Sequence, residues 1–174
     1  MSAAPSDPPA PPVTLVAAEA SACGRAGLTS LATSAVGGAR VPTTIDVRFY
    51  ELDPYGHVNH GVYLNYFEVA RIELLDAIGF GLPRLQQLGY HLLVVEATVR
   101  FRAPATAGDR LVIHSDLVDL RRASAVWHQR ALRDEVLVAE NEVRSAITDR
   151  DGRPCKAPPE LMAALEQLAA LEPG

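Results

Sequence analysis

The sequence predicts an α+β domain in which a curved, five-stranded antiparallel sheet wraps round one long helix. Apolar and polar residues alternate from residue 43, and a helical pattern follows over about residues 60–78. Four further strand patterns then precede a C-terminal helical pattern. One helix cannot cover both faces of five strands, and an open edge strand invites pairing with another chain. We therefore expect a homodimer in which two sheets join edge to edge.

Composition excludes several classes of function. The chain has 174 residues and a formal net charge of −5, with its basic residues scattered, so no nucleic-acid-binding stripe is evident. No apolar run approaches the roughly 20 residues that span a bilayer. Cys23 and Cys155 lack a CxxC spacing, which favours neither a disulfide framework nor a zinc site. These features predict a cytoplasmic protein that binds neither nucleic acid nor membrane.

The first 42 residues differ from the rest of the chain. They are rich in Pro, Ala, Ser and Gly and contain six of the 13 prolines. Such a segment buries too little surface to offset its ordering entropy, so we predict a disordered tail at 1–42 and a folded domain at 43–174. The tail lacks the basic start and apolar region of a secretory signal. A plastid transit peptide stays open, although Asp7 and Glu19 argue against it.

A strand and a turn precede the long helix. Ile45, Val47 and Phe49 alternate with polar neighbours, which is typical of a half-buried strand with these residues facing inward. Proline after Asp53 favours an extended aspartate, and Gly56 lets the chain reverse. Asn59 is a candidate N-cap, which would make His60 and Gly61 the first helical residues.

The remaining apolar residues follow helical or strand periods. The long helix presents one face at helical spacing, formed by Tyr63, Phe67, Ala70, Leu74 and Ile78. The four later strands have the spacing of an antiparallel meander, the first with Leu93, Val95, Ala97, Val99 and Phe101 facing inward. The second carries Leu111, Ile113 and Leu117, and residues 124–132 and 136–148 form the last pair. A helix after Pro158 repeats Leu161, Leu165 and Leu168 on one side.

Two motifs carry a resemblance to a known family. The segment YELDPYGHVNHGVYLNYFEVAR at 50–71, followed by FRAP at 101–104, resembles the hot-dog thioesterases of the 4-hydroxybenzoyl-CoA thioesterase family. That family includes acyl-CoA thioesterases and plastid acyl-carrier-protein thioesterases. The resemblance extends over residues 43 to about 158 and implies a hot-dog fold, assembly as dimers or tetramers, and hydrolysis of an acyl-CoA or acyl-carrier-protein thioester without a cofactor.

The resemblance also implies site residues. Asp53 occupies the place of the catalytic acid, and the backbone N–H of His60, with that of Gly61 beside it, occupies the place of the oxyanion donor. Attack on a thioester builds negative charge on the carbonyl oxygen, which an amide fixed at a helix start can stabilise. Asp53 could act as nucleophile or as general base, and the sequence does not choose between them.

Other candidates each have a structural and a functional interpretation. His57 would line the pocket or a subunit interface, and Asn59 would cap the helix or contact substrate. Tyr63 would lie in the core or line an acyl tunnel. Arg121 and Arg122 would form a solvated turn or bind the phosphates of coenzyme A or an acidic carrier protein.

Two alternatives concern the identity of the catalytic group. Asp53, His57 and His60 are too few for the convergent ligand set that zinc requires, so we expect no metal. A related subfamily uses a carboxylate on the helix, which makes Glu68, and after it Glu73, reserve candidates.

Two further functions remain open at this stage. A hot-dog hydratase or dehydratase needs an Asp and a His on the acyl chain, and the spacing of Asp53 and His57 does not match that motif. A non-catalytic acyl-thioester-binding module is the other alternative, against which the intact Asp53 argues. The sequence does not reveal the acyl group.

Overall fold

A computed structural model describes residues 42–170, so the predicted tail lies outside the described residues except for its last position. The strands are β1 (Thr43–Asp46), β2 (His91–Phe101), β3 (Arg110–Arg121), β4 (Ser124–Arg133) and β5 (Val136–Thr148). The helices are α1 (Val62–Ala77), α2 (Leu82–Leu88) and α3 (Pro159–Ala169), and a 3-10 turn spans Phe49–Glu51.

The five strands form one antiparallel sheet in the order β1-β3-β4-β5-β2. The predicted meander is therefore correct for β3, β4 and β5 and wrong for β2, which pairs with β5 at the opposite edge from β1. The chain passes through α1 and α2 between β1 and β2, and this helical passage delivers β2 to the far edge. Both β1 and β2 are consequently edge strands.

Helix α1 packs on β1 and β3 and divides the core into two clusters. Its first half contributes Tyr63, Tyr66, Phe67 and Ala70 to a cluster with β1 and the start of β3. Its second half contributes Leu74 and Leu75 to a cluster with Trp127 and α3. The inward faces predicted for β3 and α3 agree with the buried residues Leu111, Ile113, Leu117, Leu161, Leu165 and Leu168.

The predicted inward position of Phe49 is wrong. Strand β1 ends at Asp46, and the Phe49 side chain is 79% exposed. The chain tightens into the 3-10 turn because the Glu51 carboxylate accepts the Arg48 backbone N–H at 2.7 Å. Alternation with period two cannot continue through such a turn.

The predicted inward face of β2 is wrong in its first half. Val94 lies opposite Ser145 and Glu96 opposite Arg144, which leaves Val95 as a β-bulge. A bulge adds one residue to one strand and so exchanges the faces on which alternate side chains lie. Leu92 therefore packs on the core before the bulge, Leu93 is 44% exposed, and Val99 packs on the core beyond it.

None of the helices within residues 42–170 is both long and apolar enough to cross a bilayer.

Candidate active site

A five-residue loop holds Asp53 directly before α1. A β-bridge between Leu52 and Val58 closes the loop, and the Asp53 backbone N–H donates to the His57 carbonyl at 2.7 Å. The Gly56 N–H donates to the Asp53 carbonyl at 3.0 Å, with Gly56 at φ 80°, a conformation that L-residues rarely adopt. The chain therefore reverses sharply at the position that the Asp-Pro and Gly pattern predicts.

The two carboxylate oxygens of Asp53 have different surroundings. Oδ1 accepts the Tyr55 N–H at 2.8 Å and the His57 N–H at 3.2 Å. Oδ2 accepts no hydrogen bond from residues 42–170. The side chain is half-buried, so one oxygen anchors the carboxylate to the loop while the other remains available to a ligand.

The loop after β5 repeats this geometry away from α1. Asp149 Oδ1 accepts the Asp151 N–H at 3.0 Å and the Arg153 N–H at 2.9 Å. The Asp149 N–H donates to the Arg153 carbonyl, and Gly152 has φ 77°. DPYGH and DRDGR are thus two copies of one turn. Hydrogen bonding within the turn explains the fold at both aspartates, so only the location beside α1 distinguishes Asp53.

The start of α1 leaves the backbone N–H of His60 open. The predicted cap Asn59 accepts the Gly61 N–H through Oδ1 at 2.9 Å, and its carbonyl accepts the Val62 N–H at 2.9 Å. The His60 N–H donates to no atom of the described chain. The helix begins at Val62, two residues later than predicted, because Asn59 holds His60 and Gly61 in a turn. Of the two predicted oxyanion donors, that of His60 is free and that of Gly61 is occupied.

The carboxylate of Glu51, just before the Asp53 loop, binds one group from α1 and one from the end of the chain segment that follows β1. The Tyr66 hydroxyl donates to Glu51 Oε2 at 2.6 Å, and the Arg48 guanidinium lies 3.2 Å from Glu51 Oε1. Burial opposes ionisation of Glu51, but the bonds from Tyr66 and Arg48 outweigh it and lower the pKa of this carboxyl. Burial and the bond to Glu51 raise the pKa of Tyr66. Glu51 is therefore a fixed anion, and its carbonyl accepts the Asn59 N–H at the far side of the loop.

The structure separates the other predicted site residues. His57 is exposed beside Asp53, whereas Tyr63 is only 3% exposed and packs edge-on against Tyr66 and Phe101. Arg121 is the last residue of β3 and Arg122 follows it, whereas the first residue of β3, Arg110, pairs with Asp46 at the end of β1 that leads to the Asp53 loop. The 12-residue strand separates its two ends by about 36 Å at 3.3 Å per residue, so these arginines lie away from Asp53 of the same chain.

The reserve carboxylates lie on α1. Glu68 is exposed, and Glu73 Oε2 accepts the Thr43 hydroxyl at 2.6 Å, which ties α1 to β1. Within residues 42–170, no three His, Cys, Asp or Glu side chains converge in a way that could hold a metal ion.

Residues 47–165 match the family model of the thioesterase-like superfamily. The chain belongs to this superfamily.

Two relatives of this thioesterase-like chain are named as thioesterases, and a solved structure shares its fold. It is 27% identical to the acyl-CoA thioesterase YbgC of Haemophilus influenzae, over 71% of this chain and 93% of that protein. It is 29% identical to the chloroplastic acyl-acyl carrier protein thioesterase ATL2 of Arabidopsis thaliana, over 66% of this chain and 62% of that protein. The crystal structure of the hypothetical protein TT1821 from Thermus thermophilus superposes with a TM-score of 0.71 at 33% identity, covering 74% of this chain and 98% of that one.

These similarities confirm three expectations from the sequence. The resemblance to hot-dog thioesterases, the curved sheet round one helix and the assignment as an acyl thioester hydrolase all agree with the family match and the neighbouring structures. The roles of individual residues are a separate question that the geometry above addresses.

The thioesterase-like domain also contains a buried polar network that the sequence analysis missed. Arg71 Nη1 donates to Gln129 Oε1 at 2.7 Å, and Asn141 Nδ2 donates to the same oxygen at 3.2 Å. Gln129 Nε2 donates at 2.8 Å both to the Phe67 carbonyl and to the Ser115 hydroxyl. One signal was present in the sequence, since Gln129 occupies an inward position of β4 between Trp127 and Ala131.

Proposed function

We propose that the protein hydrolyses an acyl thioester of coenzyme A or acyl carrier protein with the Asp53 carboxylate and the His60 backbone N–H as its reactive groups. One observation supports this most directly. Asp53 Oδ1 is held by two loop N–H groups, while Oδ2 and the His60 N–H have no partner in the described chain, and both belong to the segment that enters α1. An acceptor and a donor are thus open at the two ends of one short segment.

The chemistry fits these two groups. A carbonyl oxygen that receives the His60 N–H gains stabilisation as negative charge develops on it, and such a donor contributes about 3 kcal/mol. Asp53 Oδ2 either attacks the carbonyl carbon or takes a proton from the attacking water. The C–S bond then breaks, the thiol leaves with a proton, and the acid is released after one water has been consumed. A thiolate leaves readily, so a strong general acid is not needed.

We also propose that two chains join along β2 and that the assembly works in the cytoplasm. Strand β2 pairs with β5 on one side only and carries exposed apolar side chains, namely Leu93, Val94, Val95 and Phe101. An edge with this composition favours pairing with a second strand. In such a dimer Arg121 and Arg122 of one chain could reach a substrate bound at the other, which the length of β3 prevents within one chain.

The paired aspartate loops supply a matched test. Asp53→Asn should lower thiol release from acyl-CoA by 100-fold or more, because a neutral amide neither attacks nor accepts a proton. Asp149→Asn makes the same change in the same turn and should leave the rate at the wild-type value. Release is followed as free thiol, with short, long and aryl acyl-CoAs and an acyl carrier protein as substrates.

Each outcome has a defined meaning. Equal losses in the two variants would assign Asp53 a structural role in its turn only. A wild-type rate in Asp53→Asn would transfer the catalytic role to another group, with Glu68→Gln as the next variant. Binding of acyl-CoA without any thiol release by the wild-type protein would refute hydrolysis.

A further inference from the structure

A cleft of about 110 Å³ lies between α1 and the β2 side of the sheet. Its walls are mostly apolar and include Ile72, Leu75, Leu92 and Trp127, and Arg71 also lines it. The cleft is separate from the Asp53 loop but lies on the same helix. An apolar cleft with a small number of placed polar groups is the usual form of a small-molecule site.

Arg71 has unused hydrogen-bonding capacity in this cleft. A guanidinium has five N–H donors, and within the described chain the only bond from Arg71 is that from Nη1 to Gln129 Oε1. No carboxylate of residues 42–170 lies within 4.0 Å of it. Desolvation lowers the pKa of Arg71, and the charge of Glu68 partly offsets this effect. The charge of Glu68 thus offsets the burial of the Arg71 cation only in part, and the cation gains from an anion that enters the cleft.

The position of Arg71 relates the cleft to the reaction centre. Helix α1 begins at Val62, just after the turn that contains His60, and Arg71 follows Val62 by nine residues, which corresponds to about 14 Å along the helix at 1.5 Å per residue. An acyl chain whose carbonyl lies at His60 and which follows α1 would therefore bring its far end to Arg71. Guanidinium groups bind carboxylates through two parallel hydrogen bonds, which also fixes orientation.

We propose that Arg71 binds a carboxylate at the far end of the acyl group, so that the preferred substrate is the thioester of a dicarboxylic acid. This inference rests on the proposed function for its link to the reaction, but the binding site itself can be tested without turnover. Glu68 lines the same cleft, is exposed, and lies one helical turn nearer to His60. Its charge opposes an incoming carboxylate, so it reduces the affinity that Arg71 provides.

The test uses two non-hydrolysable thioethers of coenzyme A of equal chain length, one ending in a carboxylate and one in a methyl group. Isothermal titration calorimetry should show that the wild-type protein binds the carboxylate analogue about tenfold more tightly, as expected for a charge-assisted bidentate contact. In Arg71→Met the affinity ratio of the two analogues should fall to about one. Glu68→Gln should raise the ratio, because it removes a like charge from the cleft.

Arg153→Met is the matched control, since it removes the same charge from an exposed turn where the side chain is 78% exposed. It should preserve the wild-type ratio of the two affinities.

Equal affinities in the wild-type protein, or a preference that persists in Arg71→Met, would overturn the proposal. A fall in the molar mass of Arg71→Met by sedimentation would also overturn it, because Arg71 would then contact a second chain. If Arg71→Met does not fold, Glu68→Gln decides: an unchanged or lower ratio contradicts the proposal. Failure of hydrolysis in the Asp53 test leaves these binding outcomes unaffected.

Discussion

The Tyr66 hydroxyl and the Glu51 carboxylate form a hydrogen bond of 2.6 Å beside the Asp53 loop. Tyr66→Phe removes this donor. The Glu51 carboxylate then loses a hydrogen bond while its side chain, only 11% exposed, has little access to water. We expect the free energy of unfolding to fall by about 1.5–3 kcal/mol at neutral pH, as for bonds to charged groups. Urea unfolding measures the change. Tyr55→Phe is the control, because the Tyr55 side chain is 85% exposed.

The same pair gives the prediction a defined pH dependence. The pKa of Glu51 is lower in the folded protein than its usual value of 4.5, so its stabilisation is complete above that value and is lost as pH falls through the folded pKa. The difference between the wild-type protein and Tyr66→Phe should therefore shrink below about pH 4.5. A difference that stays constant into this acidic range would mean that the charge of Glu51 does not contribute.

Single residues also show what a sequence can and cannot reveal about the site. The Asp53 turn was predictable because Asp, Pro and Gly determine its backbone locally, within five residues. The free His60 N–H was predictable only through the family resemblance, and Asn59 occupies the neighbouring donor instead. Nothing in the sequence indicated the bond between Arg71 and Gln129, because the two residues are 58 positions apart and meet only when the sheet folds round α1.

Helix α1 is held to the sheet by Gln129, a fully buried residue of β4. Its amide donates to the Phe67 carbonyl on the helix and accepts from Arg71 on the next turn. Gln129→Met keeps a similar volume but leaves several buried polar groups without partners, each costing about 1–3 kcal/mol. We expect urea unfolding to show a loss of about 3 kcal/mol or more. A network of this kind fixes the helix and, through it, the position of the His60 amide.

The matched control for this tether is Gln87→Met, which makes the same change on the exposed surface of α2. It should alter stability by less than about 0.5 kcal/mol. Wild-type stability in Gln129→Met would show that the network does not hold α1, and the helix would then depend on its apolar face alone.

At the level of elements, regular periodicity predicted the fold well and irregular backbone did not. The helical face that begins at Tyr63 follows one period, and so do the inward residues of β3 as far as Leu117, before the irregularity at Val118. The 3-10 turn after β1 and the bulge at Val95 each interrupt a period, so Phe49 and Leu93 were assigned to the wrong side. The place of β2 at the far edge depends on how α1 and α2 cross the sheet, which alternation within one strand cannot encode.

The whole molecule presents an edge that a second copy is proposed to cover. Val95 is 59% exposed on the edge strand β2, and Val118 is 58% exposed on the interior strand β3, each at an irregularity in strand pairing. Val95→Lys places a charge on the proposed interface, which natural edge strands use to prevent pairing. We expect sedimentation equilibrium to give a dimer or larger assembly for the wild-type protein and a monomer for Val95→Lys.

Val118→Lys makes the same change at matched exposure away from the edge and should retain the wild-type mass. If both variants dissociate, added charge rather than the position on β2 is responsible, and if neither does, the chains join through another surface.

The cleft that contains Arg71 borders β2 through Leu92 and Val94, so loss of the β2 contact should expose the cleft further to water. A monomeric Val95→Lys should consequently bind acyl-CoA thioethers more weakly, whereas unchanged affinity would show that the cleft is complete within one chain.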